Sequence, residues 1–186
     1  MKKKAIFMSL AGILLANAGA NAADKGWSPL AVLDDDYVME PTISLLGGIM
    51  SPSDGDSGKL IGVEASFNCP LLQPPTNKIR QQLSYTQYDE SGVKVSSIEL
   101  NPHYVVALTP ELSVGGGPGL GFVSVDSATK DTNLFAAQVG VSAHYNLSEM
   151  VFLGGDARYQ LTENEDIGGS DGMNNLRMSL KVGVSF

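Results

Sequence analysis

His144, Ser148 and Glu149 place a base, a nucleophile and an acid close together in the chain. A hydrolase needs such groups within hydrogen-bond reach of one another, with the serine oxygen against the imidazole. Proximity in an extended chain does not bring that about. His144 ends an alternating segment, whereas Ser148 and Glu149 fall in the turn after it, so no catalytic residue is assigned. Gly115-Gly116-Gly117-Pro118-Gly119 has the glycine content of a phosphate loop. It lacks the Gly-Lys-Ser/Thr that would follow and opens no helix, so no cofactor site is read from it. Cys69 is the single cysteine. It rules out an internal disulfide framework and a Cys-rich zinc or iron–sulfur centre, leaving a packed thiol or an intermolecular disulfide.

The carboxylates are more numerous than any of these. Asp54, Asp56, Asp89, Glu90, Asp126, Asp131, Glu163, Glu165, Asp166 and Asp171 sit in inter-segment connections, opposed there by Lys130. Hard oxygen ligands suit calcium or magnesium, but no connection has EF-hand spacing, and no metal ligand is assigned. Solvated charge is the competing reading. Overall, 20 acids against 12 bases give a formal charge of −8 and a pI near 4.6. No basic footprint is present, so nucleic acid is excluded as a partner.

The elements that must position these residues begin with a targeting segment. Lys2, Lys3 and Lys4 precede an apolar stretch from Ala5 to Leu15, and Ala20-Asn21-Ala22 forms an A-x-A site. Residues 1–22 therefore read as a cleaved signal peptide, too short for a comfortable helical span. At the other end, Leu176, Met178, Leu180, Val182, Val184 and Phe186 share one parity. Arg177, Ser179, Lys181, Gly183 and Ser185 hold the other. This is a strand of period two.

The alternation recurs in seven further segments: 41–50, 59–68, 78–88, 93–107, 111–124, 133–146 and 150–161. In the third, Ile79, Leu83 and Tyr85 share a face with Gln81 and Gln87. In the fourth, Pro102 removes a ladder donor and predicts a bulge or local break. Short connections alternate with longer ones, and Cys69–Asn77 is a long exception among the short. An exported β-sandwich would also alternate.

Lys181-x-Gly183-x-x-Phe186 resembles the carboxy-terminal insertion signal of bacterial outer-membrane barrels, with Val184 where an aromatic is usual. Residues 40–186 as a whole resemble the small outer-membrane β-barrel family that includes the membrane domain of OmpA and OmpX-like proteins. The resemblance implies an all-β fold, an eight-stranded antiparallel up-and-down transmembrane β-barrel over 41–186. It implies the Gram-negative outer membrane, lipid and lipopolysaccharide as surroundings, and periplasmic chaperones and the outer-membrane insertion machinery as assembly partners. Residues 23–40 become a periplasmic extension. Tyr85, Phe122, Phe135 and Tyr159 would form the outer aromatic girdle, and Phe67, Tyr145 and Phe186 the inner one.

In such a barrel the polar parity faces the lumen. Glu64, Arg80, Glu99, His103, His144, Asp156, Arg158, Arg177 and Lys181 then share a narrow interior that side chains alone can fill. Pairing is required there, because an unpaired buried charge is costly. Three functions follow: a structural or interaction barrel with a charge-filled lumen, a narrow pore for ions or small solutes, or a lipid A-modifying enzyme. The glycines of 115–121 would make room for bulky neighbours. The run Asp34-Asp35-Asp36 would be a solvated tail or would fold into the inner mouth near Lys181, narrowing any pore.

Overall fold

Backbone amides and carbonyls facing hydrocarbon must bond to one another, and alternating strands achieve this without an open edge only by closing. In a computed structural model that describes residues 26–127, 131–163 and 172–186, they close into a barrel. The strands are β1 (Thr42–Pro52), β2 (Gly58–Asn68), β3 (Lys78–Glu90), β4 (Val93–Ala107), β5 (Leu112–Asp126), β6 (Asp131–Asn146), β7 (Val151–Thr162) and β8 (Asn175–Ser185). Each pairs antiparallel with its sequence neighbours, and β8 pairs with β1 from Ser185↔Thr42 to Asn175↔Pro52. The topology is up-and-down. The expected signal peptide lies outside the described residues, as do Lys130, Glu165, Asp166 and Asp171.

Every parity assigned from the sequence matches its face. The outcome inverts a soluble core: Leu180 and Phe122 are 76% and 66% exposed, whereas Glu99 and Gln160 are 1% and 0%. That inversion removes the sandwich alternative, which would bury its apolar face. Phe122 and Phe135 are cross-strand partners on the outer surface, meeting edge to face at 5.5 Å. Pro102 does interrupt the β4–β5 ladder, where pairing lapses between Leu100↔Leu120 and Tyr104↔Gly116. The register is the same on both sides, so this is a break without a bulge. Opposite it, a Cβ on Gly117 would overlap the Pro102 carbonyl, so only glycine fits there. The β3–β4 connection is a two-residue turn, Ser91-Gly92, with both φ positive, the twist that antiparallel hairpins favour.

Both described chain ends and the β2–β3, β4–β5 and β6–β7 connections share one rim, called here the inner rim. The remaining connections share the outer rim. The segment before β1 neither dangles nor enters the lumen. Ser28–Pro29 pairs with Leu72–Gln73 of the β2–β3 connection, Leu30 N donates to Leu71 O, and Val32 N donates to Pro70 O. Asn68 then ties the segment to the barrel, donating Nδ2 to Val38 O and its backbone N to Met39 O.

Candidate functional site

The lumen residues come from strands whose polar parity turns inward, and their depth follows from the register. Arg158 on β7 reaches across to three other strands. Its Nη2 lies 2.8 Å from Glu64 Oε2 on β2 and donates to Gln82 Oε1 on β3 at 3.0 Å. Its Nη1 lies 3.2 Å from both Glu99 Oε2 on β4 and Ser84 Oγ on β3. Arg158 Nε is 3.2 Å from Asp156 Oδ1 but is not aligned for a hydrogen bond, so this contact is coulombic.

Two cations on β8 complete the layer. Arg177 pairs with Glu99 and donates to Thr86 Oγ1 and Ser97 Oγ, each at 3.1 Å, and to Gln160 Oε1. Lys181 Nζ lies 2.8 Å from Glu64 Oε1 and 3.4 Å from Asp156 Oδ2. Gln138 on β6 donates to Glu99 at 3.1 Å and to Asn101 at 2.6 Å. Three carboxylates thus meet three cations, the side chains of all six no more than 5% exposed, with neutral amides and hydroxyls taking most of the remaining valences.

β5 supplies space rather than charge. A Cβ at Gly119 would overlap Asn101 Oδ1, and one at Gly121 would stand 3.1 Å from Glu99 Cγ. The glycine run is therefore the counterpart of the bulky side chains across the lumen.

Six of the nine expected lumen residues form this network: Glu64, Glu99, Asp156, Arg158, Arg177 and Lys181. The other three are turned inward but stand apart from it. Arg80 lies toward the inner rim, donating to Ser66 Oγ, Asn68 Oδ1 and the Glu40 carbonyl, with Glu40 Oε2 at 3.6 Å. His103 Nδ1 is 2.9 Å from Ser142 Oγ on β6. His144 stacks on Phe152 with ring centroids 4.0 Å apart and bonds to Asn146 at 2.9 Å. Ser148 Oγ accepts from the Val151 and Met150 amides and serves the turn. The hydrolase grouping of His144, Ser148 and Glu149 is not assembled.

Lys181 is engaged by Glu64 and Asp156 and not by Asp34–Asp36, so of the two readings of the acidic run the one that places it in the mouth is not realised. The segment's contribution there is Glu40, paired with Lys78 as well as Arg80. Its carboxyl is held below the ordinary value: burial opposes ionisation most, but the Lys78 contact, Asn68 and Arg80 together outweigh it. Glu40 sits at φ +46, a left-handed turn that aims it back at the rim. Cys69 is a buried free thiol that accepts from Gln81 Nε2 at 3.2 Å.

Two further features bracket the charged layer. Between it and the inner rim lies a vestibule of about 400 Å³ bordered by Arg80, His144, Phe152 and Lys181. Toward the outer rim, the lumen is closed by hydrocarbon: Met50, Leu60, Tyr88, Val95, Val123, Val125, Leu134, Ala136 and Met173 form one buried cluster. Sequence reasoning missed this apolar layer. The inward parity was the available signal, but residues 122–123 and 134–136 are apolar on both parities, which hides it.

No family model and no curated protein matches the sequence. Solved structures do. The chain is similar to Neisserial surface protein A, with 18% identity and a TM-score of 0.58 over 87% of this chain and 100% of that one. It is similar to the N-terminal β-barrel domain of OprF from Pseudomonas aeruginosa, with 15% identity and a TM-score of 0.54 over 80% and 100%. It is also similar to Ail, the attachment invasion locus protein of Yersinia pestis, with 12% identity and a TM-score of 0.53 over 80% and 97%. The architecture is that of small outer-membrane β-barrels, as the strand pattern implied.

Proposed function

We propose that the chain is an integral outer-membrane protein whose role is structural or interactive, exerted through its loops and outer wall, with a lumen sealed against ions and solutes. The observation that carries this reading is the double closure of the lumen. Three carboxylates matched to three cations leave no charge to be supplied by a passing ion. Beyond them, Met50, Val123 and Val125 have no solvent contact, so water meets hydrocarbon at the next layer. A hydrophobic constriction without water is a barrier to ions, and this lumen ends in a packed apolar plug of that kind.

An apolar outer wall on a closed barrel supports a membrane setting. Lipid and lipopolysaccharide are then the surrounding partners. Assembly by periplasmic chaperones and the insertion machinery would use β8, with Lys181, Gly183 and Phe186 as its recognition pattern. A leader over 1–22 fits export to that membrane. The pore and lipid A-modifying readings gain no comparable support, since the vestibule ends blindly and the Ser/His/Glu grouping is dispersed.

Planar-bilayer recording of the refolded protein tests the seal. The expected record is flat at moderate voltage, while heat-modifiable gel migration verifies the folded barrel. Reproducible unitary steps from the folded form would overturn the sealed lumen in favour of the narrow pore.

A further inference from the structure

Resting on the membrane setting proposed above, we infer that residues 27–33, with Leu71 and Leu72, form an interfacial foot that lies in the lipid leaflet beside the inner rim. The starting observation is a cluster that the barrel does not explain. Trp27, Leu30, Leu33 and Leu71 are 57%, 53%, 77% and 62% exposed, though none belongs to a barrel strand. In water, an apolar patch of this kind is a liability.

Its position selects the occupant. The β2–β3 connection leans on the outer wall, not on the lumen mouth. Cys69 Sγ accepts from Gln81, whose side chain shares the outward face of β3 with Leu83 and Tyr85. Asn77 Nδ2 donates to the hydroxyl of Tyr104, on the outward face of β4, at 2.9 Å. The foot is fastened to this connection by the Ser28–Pro29 bridge and by the Leu30 and Val32 amides. Its apolar side chains therefore continue the lipid-facing wall beyond the ends of β2 and β3.

The anchoring is rigid as well as lateral. Gln73 closes the connection against β3 by accepting from the Ile79 amide at 2.9 Å and donating to the Ile79 carbonyl at 2.9 Å. Ala31, in the 3-10 turn Ala31–Leu33, is 1% exposed, so the turn packs on its inner side and presents Leu30 and Leu33 outward. Indole and leucine side chains flanked by wet carboxylates, here Asp34 and Asp35, match the headgroup boundary of a leaflet.

Trp27 is the single tryptophan of the chain, which makes the foot directly observable. The chain from Ala23 onward is refolded into dioleoylphosphatidylcholine vesicles, zwitterionic so that Asp34–Asp36 are not repelled. Part of the lipid is replaced by dibrominated analogues, and folding is verified by heat-modifiable migration. The expected emission is blue-shifted from free tryptophanamide, several-fold protected from acrylamide, and quenched most by bromines near the headgroup end. Leu30→Asp with Leu33→Asp should abolish the bromolipid quenching while the folded gel form persists.

Water-like emission, open to acrylamide and blind to bromolipid, from a folded barrel overturns the foot and leaves the membrane reading standing. Protection from acrylamide without bromolipid quenching overturns it too, since protein and not lipid then covers the patch. Failure to reach any folded membrane form overturns the membrane reading and the foot with it. Trp27→Phe with Leu71→Trp moves the reporter to the other half of the foot and must give the same depth.

Discussion

The middle and the outer end of the lumen solve one packing problem with opposite chemistry. In the middle, Arg158 and Arg177 span the barrel, and every carboxylate they meet is shared between two cations or with a neutral donor. At the outer end, Met50, Leu60, Val123, Val125 and Leu134 fill the same cross-section with hydrocarbon. Long cations reach across a lumen from one wall, so few strands must supply them. Hydrocarbon side chains are shorter, and most strands must each contribute one. The charged layer therefore concentrates its cations on β7 and β8 and leaves β5 to glycine, whereas the apolar layer draws on β1 through β6. The first layer depends on partners and the second on volume.

Removing the hub should break that comparison most visibly. Arg158→Met leaves Glu64, Glu99 and Asp156 facing two cations, and losing one partner of a buried ionic cluster typically costs about 3–5 kcal/mol. Urea unfolding in detergent micelles, followed by gel migration, should show a midpoint well below wild type. A wild-type midpoint would mean that water reaches these carboxylates. Conductance should stay flat, because the apolar layer is intact. A variant that unfolds in detergent can be read in vesicles, where the barrel is held more firmly.

Leu134→Ala probes the other layer and should cost about 2–3 kcal/mol, the lower part of the range for large-to-small core changes, since the outer connections can relax into the space. Unlike Arg158→Met, its effect should be insensitive to salt, as no charge is uncovered. A salt-dependent loss would show that the cluster supports the ionic layer from above.

A third comparison is made within the charged layer. Glu64→Gln and Lys181→Met each strand a partner, but together they remove one charge of each sign. The double variant should be less destabilised than the sum of the singles by about 1 kcal/mol, measured as a double-mutant cycle. Additivity within error would reduce the Glu64–Lys181 contact at 2.8 Å to mere proximity.

The contrast between the layers also marks what the sequence could convey. Where polar and apolar residues alternate strictly, as in Leu176–Phe186 or Ile98–Asn101, one parity names the wall and the other the lumen. Eight strands, the closed barrel and the six network residues follow from that. Toward the outer rim the code fails, because Phe122-Val123 and Leu134-Phe135 are apolar on both sides. Only the register shows that Val123 and Leu134 are partners facing inward. Nor does sequence distance tell which cation an acid finds. The run Asp34–Asp36 is open in sequence to two readings, a solvated tail or an insert in the mouth, and Lys181 is engaged by Glu64 and Asp156 instead. The isolated Glu40 takes the rim cations, since the pairing of Ser28–Pro29 with Leu72–Gln73 holds the acidic run on the wall side.

The smallest expected effect lies at that rim. Glu40 and Lys78 are 42% and 48% exposed at their side chains, so their pairing belongs with surface bridges, worth under about 1 kcal/mol. Its sign is nevertheless readable by pH. A carboxyl whose folded pKa lies below its ordinary value of 4.5 stabilises the fold fully above that value. The contribution fades as pH falls through the lowered folded pKa, because the folded state must then accept the same proton that the unfolded chain took earlier. Wild type and Glu40→Gln should therefore differ most at neutral pH and converge in the acid limb, with high salt shrinking the difference throughout. Lys78→Met should give the same convergence with Arg80 still in place, at 3.6 Å from Glu40 Oε2. A gap between wild type and Glu40→Gln that widens below pH 4.5 would mean that Glu40 is stabilised as the neutral acid, and the rim pairing would have to be abandoned.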